Sequence, residues 1–111
     1  MVLMKVPLKK VTIVAERLLR ELLVELLNDE GSTGHTMMAV EGKGSRGVHA
    51  SDWEGRNIQL ETIVSHSAAD RILDRIAAEY LENYAVIAYV CDVDVLRGKK
   101  FTNETGAGPD L

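Results

Sequence analysis

Three glycines, 42, 44 and 47, are interleaved with Lys43, Ser45 and Arg46, and this short stretch is the best chemical candidate in the chain. The whole segment Gly42–Gly55 reads Gly-Lys-Gly-Ser-Arg-Gly-Val-His-Ala-Ser-Asp-Trp-Glu-Gly. Glycine permits positive φ, so the backbone can turn successive N–H groups to one side. N–H groups gathered in this way form a concavity that binds anions. Lys43, Ser45, Arg46 and His49 add side-chain donors to it. The planar fork of Arg46 suits phosphate oxygens, with Lys43 as a point-charge partner. The expectation is an anion site, phosphate foremost. A glycine-rich hairpin with solvated charges is the alternative that such short matches leave open.

Other chemistries fare worse. Gly42-x-Gly44-x-x-Gly47 matches the dinucleotide fingerprint, which requires a helix opening directly after it. Residues 48–56 lack a helical apolar period and 57–64 alternate like a strand, so the match fails on context. His35, His49 and His66 stand in three different elements, and no cluster has metal-ligand spacing. A triad could be written from His49, Ser51 and Asp52, but residues this close in one loop read as ordinary polar loop residues. Trp53 reads as a contact for a neighbouring subunit, a partner protein or a base.

Composition narrows the class. A net charge of −4 argues against a nucleic-acid binder, and 5% aromatic residues offer little base-stacking surface. The lone cysteine, Cys91, has no intrachain disulfide partner; within the apolar run 85–91 it is expected to be buried. The start of the chain has no secretory pattern and the longest apolar run is too short to span a bilayer, so a cytoplasmic location is expected. At 111 residues one domain is expected.

The elements that must position the loop follow from periodicity. Residues 1–8 read as a loose lead-in, and Lys10–Ala15 as strand one. Glu16–Glu30 forms a helix with a stripe of Leu19, Leu22, Leu23, Leu26 and Leu27, closed by Gly31. Strand two is expected over His35–Glu41 and strand three over Asn57–Val64. A second helix spans about 68–83, capped by Ser67 with Asp70, and buries Ile72, Leu73, Ile76, Ala77, Tyr80 and Leu81. Ala85–Val93, with an extension to Leu96, is so apolar that a central strand is expected, covered on both faces or lying at a subunit interface. The order β-α-β-β-α-β predicts an α+β, ferredoxin-like sandwich with one sheet face free of helices. Thr102–Leu111 reads as a disordered tail.

With this order, the long loop after strand two and the motif Gly42-Lys43-Gly44-Ser45-Arg46, the chain resembles the PII-like signalling proteins. The likeness is to the SbtB type, cyanobacterial partners of the bicarbonate transporter SbtA. It runs from about Lys10 to Phe101 and includes Gly34-His35-Thr36, Asn83-Tyr84 and Val95-Leu96-Arg97-Gly98-Lys99-Lys100-Phe101. The resemblance implies a homotrimer binding cAMP, AMP, ADP or ATP in three clefts between subunits, with Mg or Ca as a conceivable companion of ATP. Residues 42–56 would be the T-loop. Ser45 and Arg46, beside Lys43 and Gly44, match the phosphate contacts. His49 replaces an arginine of some members, which weakens the fixed charge at neutral pH. Thr36 and Met37, with Val86 and Ile87, match the region enclosing the adenine. The tail lacks the cysteine pair of some members, so redox switching by that route is not expected. The implied function is nucleotide-dependent control of a bicarbonate transporter through the T-loop, with peripheral membrane association and no nucleic-acid partner. Trp53 and Arg56 are the candidate transporter contacts. A slow ATP or ADP hydrolase in the same cleft, with Glu54 as the one acidic candidate, is the alternative.

Overall fold

In the computed structural model, residues 4–42 and 57–97 are described. Four strands and two helices follow in the order β1 (Lys5–Glu16), α1 (Arg20–Asp29), β2 (Thr36–Val40), β3 (Asn57–Val64), α2 (His66–Glu79) and β4 (Val86–Leu96). A 3-10 turn, Arg17–Leu19, joins β1 to α1. The sheet order is β2-β3-β1-β4, with every neighbouring pair antiparallel. This is the ferredoxin-like βαββαβ arrangement expected from the sequence.

Alternation along the inner strands builds the core. Val11, Ile13 and Ala15 of β1 and Ile58, Leu60 and Val64 of β3 are buried on the helix-bearing face. Leu19, Leu23, Leu26 and Leu27 meet them from the first helical segment, and Ala68, Ala69, Ile72, Ile76 and Tyr80 from the second. The spacing of both sets is that of one helix face.

The end of α1 follows from local chemistry. Gly31 adopts φ +102°, a left-handed value that favours glycine, and Ser32 N–H bonds Leu27 O at 3.0 Å to close a Schellman turn. Arg71 then spans from α2 to Glu30, donating to its carboxylate at 3.1 Å and to its carbonyl at 3.1 Å. Beyond the turn, Thr62 Oγ1 donates to Gly34 O at 2.8 Å and lies 2.7 Å from Ser32 Oγ. The entry to β2 is thereby fastened to β3.

Several expectations are corrected. From Lys5 onward the lead-in is not loose, because Lys5–Lys9 pair with Asp92–Leu96 of β4; residues 1–3 lie outside the described residues. Glu16 belongs to β1, and the helical segment begins after it. The second helix starts at His66, and its cap is Ser65, whose hydroxyl accepts from Ala68 N at 3.2 Å, rather than Ser67. Leu22, Ala77 and Leu81 are exposed rather than part of the buried stripes. Strand β4 is an edge strand, not a central one. Cys91 is exposed for the same reason: it projects from the helix-free face of an edge. The loop and tail, 43–56 and 98–111, lie outside the described residues.

Candidate functional site

The glycine-rich segment leaves the sheet after β2 and returns at Asn57. Val40 is registered against Asn57, and Asn57 against Glu16, so both stems of the segment sit at one end of the sheet. Lys43, Gly44, Ser45, Arg46 and His49, as well as Trp53, Glu54 and Arg56, lie outside the described residues.

The four remaining candidates fall at opposite edges of the sheet. Thr36 and Met37 are on β2, while Val86 and Ile87 are on β4, with β3 and β1 between them. Three strand spacings separate the edges by about 14 Å. One chain therefore does not gather these four residues into one pocket. Each edge nevertheless offers a matched pair. On the helix-free face Thr36 is exposed and Ile87 is 61% exposed; on the other face Met37 is half-buried and Val86 is buried. A ligand touching both pairs would have to lie between β2 of one copy and β4 of another.

The helix-free face is unusual for a solvated surface. Ile87, Tyr89 and Met38 are 61, 47 and 42% exposed there. At its middle, Thr12 is only 1% exposed, and its hydroxyl has no hydrogen-bond partner among the described residues. Thr12 is registered between Glu61 and Tyr89, and Gln59 Nε2 and Lys10 Nζ approach Glu61 Oε2 at 3.1 and 3.9 Å. An orphaned buried hydroxyl costs on the order of 1–3 kcal/mol.

Two open grooves accompany these surfaces. One, of about 530 Å3, runs between α1 and the β2 edge, lined by Arg20, Glu21, Val24, Glu25 and Asn28 from α1 and by His35 and Met37. Sequence reading singled out Met37 but not Arg20 or Asn28; they come from a helix face that sequence periodicity marks only as polar. The second, of about 400 Å3, lies between the start of α2 and the outer β1–β4 ribbon. Lys9 is paired there with Asp92, and His66 Nε2 lies 3.5 Å from Asp70 Oδ2. The Lys9 ammonium, first by hydrogen bond and then by charge, holds the Asp92 carboxyl below the usual carboxylate range. No group of three or more His, Cys, Asp or Glu suited to a metal occurs among the described residues. No helix among them is long and apolar enough to cross a membrane.

Known proteins resemble this arrangement closely. The profile of the family described as "Nitrogen regulatory protein P-II" matches residues 8–100. A protein of Thermus thermophilus described as PII-like in signalling is 55% identical, with a TM-score of 0.78 over 88% of this chain and 98% of that one. CPII, a nitrogen regulatory PII-like protein of Thiomonas intermedia, was solved bound to ADP, AMP and bicarbonate; it is 26% identical, with a TM-score of 0.80 over 92% of this chain and 100% of its own. A second CPII structure holds ADP, AMP and acetate and is 28% identical, with a TM-score of 0.78 over 89% and 98% of the two chains. With the fold, the strand order and most of its length matched, this chain belongs to the P-II family of signalling proteins.

Proposed function

We propose that this protein is an adenine-nucleotide sensor whose sites lie between the subunits of a homotrimer, and that it acts by binding rather than by catalysis. The observation that carries the reading is the placement of Thr36 and Met37 on one sheet edge and of Val86 and Ile87 on the other. A closed ring of three copies brings unlike edges together in three equivalent clefts. The exposed Met38, Ile87 and Tyr89 of the helix-free face and the orphaned Thr12 hydroxyl are further reasons for copies to pack. The phosphates would be held by Lys43, Gly44, Ser45 and Arg46, with His49 beside them, and the adenine between the two edges.

The ligand class is supported by CPII, which binds ADP and AMP. The same protein binds bicarbonate, and this favours a signal that concerns inorganic carbon. The output we propose is control of a bicarbonate transporter of the SbtA kind from the cytoplasmic side, through the 42–56 segment. A nucleotide that prefers one arrangement of that segment raises its population, and only differential affinity achieves this.

Calorimetric titration with cAMP, AMP, ADP and ATP, the last two with and without Mg or Ca, tests the reading. Saturable binding near one site per chain is expected. Silence from all four ligands would overturn it. Steady phosphate release from ATP or ADP, abolished by changes in 43–46, would instead favour the hydrolase.

A further inference from the structure

We infer that Glu16 is a positioning residue for this nucleotide site, an inference that rests on the nucleotide-sensor reading. Glu16 is the one acidic or basic side chain buried among the described residues, at 6% exposure. Its Oε2 accepts the N–H of Ala85 at 3.0 Å. The β1–β4 ladder ends at Ala15 against Val86, and the chain enters from the turn at 80–85. The Glu16 carboxylate thus continues the pairing by one residue where the ladder has stopped. It fixes the start of the edge strand that carries Val86 and Ile87.

The same residue lies opposite Asn57, which in turn lies opposite Val40. One row across the sheet, Val40–Asn57–Glu16–Ala85, therefore contains both stems of the glycine-rich segment and the entry to β4. The stems at Val40 and Asn57 and the start of β4 thus share Glu16 as a common reference. No cation is paired with Glu16 among the described residues. Burying a carboxylate for one backbone donor is costly where a neutral acceptor would serve. At 3.0 Å the bond to the Ala85 amide has ordinary length, and an oxygen acceptor held at this place is what fixes the start of β4.

The test compares Glu16→Ala and Glu16→Gln with the unaltered protein by ADP titration and by thermal melting of the ligand-free form. Glu16→Ala is expected to weaken ADP binding at least tenfold, and Glu16→Gln, which keeps an acceptor oxygen, to recover most of the loss. A lowered melting temperature with unchanged ADP affinity in Glu16→Ala would make Glu16 merely structural and overturn the inference. Should Glu16→Ala not fold, hydrogen exchange at the Ala85 amide of the unaltered protein decides: slowing by ADP is expected, and an ADP-independent rate overturns it. If the unaltered protein binds no nucleotide, the sensor reading itself has failed, which these variants do not confuse with failure of the Glu16 role.

Discussion

At the scale of single residues, charge placement yields two predictions. If Arg46 holds phosphate, Arg46→Ala should cost about 1.5–3 kcal/mol of nucleotide binding. That is roughly a ten- to hundredfold rise in Kd, and calorimetry returning the original affinity would remove Arg46 from the site. The second concerns Asp92, whose folded carboxyl is held below its ordinary range by Lys9. A depressed carboxylate contributes stability above its unfolded pKa, near 4, and loses it as pH falls through the folded value. Asp92→Asn should therefore melt at a slightly lower temperature at pH 7, and the gap should close in acid below about pH 4. A gap independent of pH would mean that the pair contributes nothing electrostatic. The effect will be small, since Asp92 is 84% exposed.

At the scale of elements, caps and cores decide what is stable. Ser65→Ala removes the hydroxyl that accepts from Ala68 N and should cost about 1 kcal/mol in urea melts. Ser67→Ala, which leaves the cap oxygen of Ser65 in place, should cost less. The reverse ranking would restore Ser67 as the cap. Leu60→Ala, at a position with no exposure between sheet and helices, should cost about 2–5 kcal/mol. These positions also mark what the sequence could tell. Ile72, Ile76 and Tyr80 of the second helical stripe and the inward face Ile58, Leu60, Thr62 and Val64 of β3 were legible because their periods are local. The first residues of β1 were not, because Pro7 and Lys9 break the alternation and their pairing partners lie in β4, at the far end of the sequence. The apolar run of β4 suggested a central strand, covered on both faces or lying at a subunit interface; its actual place at an edge follows from strand order, a non-local property. Glu16 looked like a residue of the helix start, and only the fold brings its carboxylate to Ala85. The anion chemistry proposed for Lys43–Arg46 rests on residue types alone, whereas the division of the proposed adenine contacts between two edges needed the topology.

At the scale of the whole molecule, the helix-free face and the two edges point to the same assembly. In the proposed trimer, copies that cover Ile87 and Tyr89 would also bring β2 of one chain toward β4 of the next. Sedimentation should therefore give a trimer, and Tyr89→Lys, which puts a cation on that face, should shift it toward monomer and weaken nucleotide binding with it. A monomer that retained full affinity would place the site within one chain. Subunit mixing reaches the central claim most directly. Met37→Arg should damage the β2 side of every cleft and Ile87→Glu the β4 side, so neither variant alone should bind ADP. Refolded together, each mixed trimer pairs an intact β2 edge with an intact β4 edge in one cleft, and ADP binding should return. Mixed trimers confirmed by native mass spectrometry that still bind no ADP would contradict a site shared between subunits.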